Sequence, residues 1–154
     1  MNYWLMKSEP TSYSIEDLAR DRETIWDGVR NYQARNFLRS MQIGDRAFFY
    51  HSNVSPPGIV GLMHITAVNL ADPTQFDAQS KYFDPKSTVE SPRWQTVKVA
   101  YEQTFLRLVT LDELKQKFSA EELGVVRSGN RLSVMPVESS IALQILALAE
   151  AVKL

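Results

Sequence analysis

Apolar and polar positions divide the chain into short elements. Tyr3-Trp4-Leu5-Met6 is an apolar run stopped by Ser8-Glu9-Pro10, the pattern of a buried first strand. Ser14, with Asp17 three residues on, reads as an N-cap opening a short helix whose Ile15 and Leu18 share one face. Asp27-Gly28 signals a turn. Beyond it Ala34, Phe37, Leu38 and Met41 recur at helical spacing, Arg35 and Arg39 share the opposite side, and Ile43-Gly44-Asp45 closes the helix.

The period then shortens. Ala47 to His51 is an aromatic-rich strand, Pro56-Pro57-Gly58 a turn, and Ile59 to Val68 a second strand expected to pair with the first. Asp72 to Pro92 is a long polar excursion carrying Pro73, Pro85 and Pro92, and excursions of that length in compact domains are often functional. Trp94 to Val109 reads as one long strand or two shorter ones. Leu111, Leu114 and Phe118 mark a short helix, and Ser119 with Glu122 forms a capping box for another. Gly129-Asn130 is a turn, and Arg131 to Val137 alternates like a half-buried strand. Ile141, Ile145, Leu148 and Val152 mark an amphipathic C-terminal helix. Strands in the middle and helices at both ends predict the α+β class, a compact mixed or antiparallel β-barrel of five or six strands flanked by short helices. No repeat or linker interrupts the pattern, so residues 1–154 are expected to form a single domain.

Composition narrows the function classes. The 154 residues suffice to bury a core, and 44% apolar with 23% charged residues is ordinary for a globular chain. The absence of cysteine excludes a disulfide framework, a zinc–thiolate site, an iron–sulfur cluster and a Cys nucleophile. Met1 to Lys7 lacks the pattern of a signal peptide, and no apolar run reaches the ~18 residues of a membrane span. A cytoplasmic protein is expected, or a nuclear one in a eukaryote. Proteins that coat long nucleic acids are usually strongly basic. With a net charge of −1, a nucleic-acid role here would rest on few phosphate contacts and a pocket for a base.

Catalytic signatures are missing: no Gly-rich phosphate loop, no G-x-S-x-G and no H-E-x-x-H. The two histidines, His51 and His64, fall in expected strands and are too few for a paired metal site. Ser52 beside His51 offers a nucleophile and a base, but strand neighbours point to opposite faces. No metal, cofactor or catalytic residue is expected; an enzyme of nucleotide or nucleic-acid metabolism built on His51 stays as the alternative.

Four polar clusters remain. Trp26 stands on a turn with Gly28, followed by Val29, Arg30 and Asn31 at the entry to a helix. A planar ligand suits this arrangement: the indole offers a stacking face, glycine lets backbone approach, and helix-end amides with Arg30 and Asn31 read a polar edge. The plainer reading is a core tryptophan followed by a turn with Asp27 as N-cap, and spacing favours it. Lys7-Ser8-Glu9 closes the first strand, where a solvated strand end is the alternative. Tyr50-His51-Ser52-Asn53 closes the aromatic strand, at the mouth of the expected barrel. Arg131 and Ser133 share one strand face, turned either to solvent or to a partner: Glu9, Asp27 or a ligand anion. An anion or small-metabolite sensor using Lys7, Arg30 and Arg131 also fits these cations.

The blocks Trp4-Leu5-Met6-Lys7-Ser8-Glu9-Pro10, W-D-G-V-R-N-Y-Q-A-R-N from Trp26 to Asn36, Phe48 to Asn53, Pro57 to Gly61, Tyr82 to Ser87, Pro92-Arg93-Trp94 and Arg131 to Val134 together resemble the EVE domain, found also in the thymocyte nuclear protein family. The resemblance runs from Tyr3 to the final helix. It implies a PUA-like fold, related to the YTH readers of methylated adenine, and recognition of a modified base in DNA or RNA, with modified cytosines in DNA proposed for some relatives. Carried over by motif, it implies a pocket lined by Lys7 and Ser8, by Trp26 and Gly28 to Asn31, by Tyr50 to Ser52, and by Arg131 and Ser133.

Overall fold

A computed structural model describes residues 1–150, and Val152 of the expected last helix lies outside the described residues. The elements in order are β1 (Tyr3–Ser8), α1 (Ile15–Asp21), β2 (Glu23–Ile25), α2 (Tyr32–Ser40), β3 (Arg46–His51), β4 (Gly58–Ala71), β5 (Gln95–Thr110), α3 (Leu111–Lys117), β6 (Val134–Val137) and α4 (Ser139–Glu150). Short 3-10 turns occupy Pro73–Phe76 and Gly124–Val126.

Local chemistry explains most of the boundaries. Ser14 and Asp17 exchange hydrogen bonds in a reciprocal capping box, as Thr110 and Glu113 do at the start of α3. Ser119 and Glu122 form the same pair, but Gly124 and the β-branched Val125 and Val126 follow, and the chain tightens into a 3-10 turn instead of the expected α-helix. Trp94 to Val109 resolves as one strand, β5. The expected strand at Arg131 shortens to β6: the Asn130 carboxamide oxygen takes the Leu132 N–H at 2.9 Å, withdrawing that group from the ladder. The three-residue β2 was not foreseen.

The strands form one mixed sheet in the order β2-β5-β4-β3-β1-β6. Parallel β1 and β3 lie inside the β6 edge and the other pairs are antiparallel. Side-chain alternation feeds two cores. Tyr3, Leu5, Phe48 and Tyr50 pack with α3 and α4 through Leu114, Ile141 and Ile145. Their neighbours Trp4, Met6, Ala47 and Phe49 pack with α1 and α2 through Ile15, Leu18, Ala34 and Leu38. The sheet stays open rather than closing as a barrel: no ladder joins the edge strands β2 and β6. Helix α2 bridges the seam, packing against both β5 and β6.

Candidate functional site

The open seam holds a cleft of about 1010 Å³. Thr24 to Arg30, running out of β2, line one part of it. Lys7, Ser8 and Glu9 at the end of β1 line another, with Arg131 and Ser133 leading into β6. Ser12, Tyr13, Ser52, Asn53 and, from the polar excursion, Lys81 and Tyr82 complete the lining. Residues far apart in sequence meet here because the edge strands, unpaired with each other, both end at the cleft.

Trp26 is core and cleft wall at once. It is 6% exposed, its ring meets Phe49 edge-on at 5.4 Å, and its backbone is tied to β5 by a 3.0 Å bond from its N–H to the Val97 carbonyl and by the Thr96 hydroxyl donating to its carbonyl. Its indole N–H differs from those of the other two tryptophans. Trp4 donates to Asp45 at 3.0 Å and Trp94 to Asp84 at 2.9 Å, whereas the Trp26 N–H donates to nothing among the described residues. Buried indoles usually find a partner, so this donor is open to a ligand.

Gly28 sits at φ +84°, and a Cβ there would lie 2.6 Å from Tyr82 Cε2. The position therefore needs glycine both for its backbone and for the ring packed on it. A clasp holds the two together. Asp72, 1% exposed, accepts the Gly28 N–H at 2.8 Å, Arg30 Nη1 at 3.0 Å, and the Thr74 N–H and hydroxyl at 2.8 and 2.5 Å. Arg30 also donates to the carbonyls of Val29 and Tyr82 and to the Thr74 hydroxyl. The guanidinium expected to read a ligand edge thus lines the cleft with most of its donors committed to the excursion.

Of the residues expected at the pocket, Lys7, Ser8, Trp26, Gly28, Val29, Arg30, Ser52, Arg131 and Ser133 come together at the cleft. Asn31, Tyr50 and His51 do not line it, each for a physical reason. Asn31, not Asp27, is the N-cap of α2, its side chain accepting from the Ala34 N–H at 2.9 Å. Tyr50 points into the α3/α4 core, where burial pushes its hydroxyl up to about 12. His51 Nε2 accepts the Ile15 N–H at 3.1 Å, so its lone pair caps α1 and its proton resides on Nδ1. Burial lowers the His51 pKa, against an opposing pull from Glu16, and keeps the ring neutral for that contact.

The cleft cations are differently placed. The Lys7 ammonium lies 5.7 Å from the Tyr50 ring centroid, forms no ion pair among the described residues, and is pushed below its ordinary pKa by burial. Arg131 is exposed and has no hydrogen-bond or ion-pair partner among the described residues. Glu9, one partner expected for it, instead accepts from Asn53 at 2.9 Å. Sequence reasoning missed Asp72, Thr74 and Tyr82 as the parts that hold the Gly28 turn. The length of the excursion and its Tyr82-Phe83-Asp84 block were the available signals, but nothing local shows that Asp72 reaches back 44 positions. Among the described residues no group of three or more His, Asp or Glu side chains is placed to hold a metal ion, and no helix is long and apolar enough to cross a membrane.

Comparison with known proteins gives consistent results. The EVE domain family model matches residues 2–148. Thymocyte nuclear protein 1 of Rattus norvegicus is 45% identical over 168 residues, covering 97% of this chain and 74% of the relative. A crystal structure of a Pseudomonas putida protein superposes with a TM-score of 0.92 at 53% identity, covering 96% of this chain and 99% of that one. The human THYN1 protein, solved in complex with DNA containing 5-methylcytosine, superposes at 0.90 with 40% identity, covering 99% of this chain and 100% of that one. A likeness of fold alone extends to a YTH domain of Zygosaccharomyces rouxii, at a TM-score of 0.56 and 15% identity.

Proposed function

The chain belongs to the EVE domain family, and on that premise we propose that it is a non-catalytic reader of one modified nucleobase of DNA or RNA, taken into the cleft beside Trp26. The observation that carries this reading is the open indole N–H of a tryptophan that lines the seam. An aromatic face there supplies stacking worth about 1–3 kcal/mol for a base. The volume of about 1010 Å³ lies at the top of the usual range for small-ligand pockets, roughly 300–1,000 Å³, which leaves room for the sugar and phosphates beside the base. The relative crystallised with 5-methylcytosine DNA, 40% identical to this chain, supports a modified pyrimidine as the first ligand to test.

The remaining contacts follow from the geometry. Lys7, Lys81 and Arg131 supply positive charge for flanking phosphates, while Ser8, Ser52 and Ser133 supply small polar groups. A base within a duplex must leave the stack to enter. The reading takes residues 1–154 as one domain, because the cleft draws on positions from Lys7 to Ser133. Its compartment is that of its nucleic acid: the cytoplasm of a cell without a nucleus, the nucleus otherwise. A general base at His51 finds no support, since the lone pair it would use holds the Ile15 N–H.

Oligonucleotides differing only by one 5-methylcytosine, single-stranded and duplex, test the proposal by fluorescence anisotropy. Tighter binding of the methylated strand is expected. Because Trp26 is buried, truncation to alanine would damage the core; Trp26→Phe keeps an aromatic body and removes the N–H. It should weaken binding about tenfold, the value of one well-placed hydrogen bond, while the melting temperature falls less than for alanine, as a smaller cavity requires. Equal affinity for modified and unmodified strands across a panel of base modifications refutes the reading.

A further inference from the structure

Several polar groups of the cleft lining have no hydrogen-bond or ion-pair partner among the described residues. They include the Trp26 N–H and two cations, the Lys7 ammonium and the Arg131 guanidinium. The one acid among them is the Asp27 carboxyl, between Trp26 and the glycine turn. The contrast with other aspartates is sharp. Asp45 accepts three donors, Asp72 four, and Asp84 binds the Trp94 indole. Asp27 accepts from no other residue among those described. Arg30 makes no ion pair with it, being tied instead to Asp72, Thr74 and the Tyr82 carbonyl. The Gly28 N–H, the adjacent backbone donor, is taken by Asp72. Asp27 is exposed at the mouth of the cleft, and partial loss of hydration, then the nearby Asp72 charge, raise its carboxyl above its ordinary value against the pull of Arg30.

Resting on the reader proposal above, we infer that Asp27 selects the class of base: its carboxyl oxygen accepts the exocyclic amino group of a 4-aminopyrimidine, so the cleft takes cytosine derivatives and turns away the matching uracils. A carboxylate is an acceptor. Cytosine presents N4–H2 donors, which pair with it, whereas uracil and thymine present O4 at the same place, and two acceptors there repel. The carbon framework is indifferent to this choice. 5-Methylcytosine and thymine share the ring and the 5-methyl group and differ only along that polar edge, so stacking on Trp26 cannot separate them.

That pair makes the decisive experiment. The intact chain is titrated at pH 7.5 with single-stranded oligonucleotides carrying cytosine, 5-methylcytosine, uracil or thymine at one position. The expected order places 5-methylcytosine about tenfold or more ahead of thymine. The Asp27→Asn variant, whose amide both donates and accepts, should bring the two within about threefold. Its preference for 5-methylcytosine over cytosine should stay as in the unaltered chain, which general damage to the cleft would not allow. Circular dichroism confirms folding, and little change is expected because the carboxyl holds no other residue. If thymine binds as tightly as 5-methylcytosine while both exceed cytosine and uracil, the Asp27 inference is overturned and the reader proposal stands. The inference is also overturned if Asp27→Asn keeps the full 5-methylcytosine-to-thymine ratio. If no modified strand exceeds its unmodified control, the reader proposal itself fails and the inference with it.

Discussion

Removal of the Asp72 carboxylate should release the polar excursion from the Gly28 turn. In the folded protein that group accepts four hydrogen bonds, one of them from Arg30, with side-chain exposures of 20% for the arginine and 2% for the aspartate. Breaking a buried ion pair by deleting one partner costs about 3–5 kcal/mol. Arg30 keeps some contact with water, so the lower end applies, about 3 kcal/mol for Asp72→Ala. For a chain of this size that corresponds to a fall of roughly 6–12 °C in melting temperature. With a slope of about 2 kcal/mol per molar urea, the unfolding midpoint should move down by roughly 1.5 M. Urea titration followed by circular dichroism and tryptophan fluorescence measures both. A double-mutant cycle with Arg30→Met tests the origin of the loss, since a real clasp gives a coupling of at least about 1 kcal/mol. A loss below about 0.5 kcal/mol for Asp72→Ala, the usual scale of surface substitutions, would refute the reasoning, as would strictly additive effects of the two changes.

Gly28→Ala should cost about 1–3 kcal/mol and weaken ligand binding, because the new Cβ would stand 2.6 Å from the Tyr82 ring at φ +84°; thermal melts and the anisotropy titration read both effects. Stability should also fall in acid through Asp45. Burial raises its carboxyl, but the N–H groups of Asn2 and Gln42, the Trp4 indole and the positive N-terminus outweigh that and hold it below its ordinary value of 3.8. A folded-state pKa below the unfolded one means stability that is complete above the unfolded value and lost as pH falls through the folded one. Asp45→Asn should therefore flatten the part of the stability profile below pH 3.8 that this group contributes, as read by urea midpoints at stepped pH. Binding should depend weakly on salt: with Lys7, Lys81 and Arg131 as the cleft cations not committed to an ion pair, the plot of log K against log salt should have a slope near −2 to −3, and Arg131→Ala should make it shallower by about 0.7–0.9.

Legibility followed the range of the interactions. Ser14, Asp17, Thr110 and Glu113 act within one helical turn, and the caps at Ser14–Asp17 and the helix after Thr110 could be placed from spacing. The unbroken apolar runs of β1 and β3 likewise announced buried strands. Trp26 shows where local reasoning stops. Its turn and its aromatic character are visible in the chain, but not that one side chain would both join a core and line the cleft. Tyr50, His51 and Ser52 were grouped because they adjoin; the pleat sends Tyr50 into one core, fixes His51 on the start of α1 and leaves only Ser52 at the cleft. Arg30 looked like a ligand donor because its acceptor Asp72 lies beyond three intervening elements. Asp27 was set aside as a cap, a role that Asn31 fills. Such choices depend on which partners the assembled fold brings within reach.

The open seam also divides labour among the residues that line it. Ser12, Ser52 and Arg131 belong to neither hydrophobic core, so on the reading proposed above exchanging them should alter what the cleft welcomes while the scaffold hardly registers the change. Trp26 and Val29 belong to a core as well, and Gly28 to a backbone turn, so they answer to two demands at once. A lineage built on this frame has a vocabulary of interchangeable words set around a fixed grammar, and can acquire a new ligand without having to learn again how to fold.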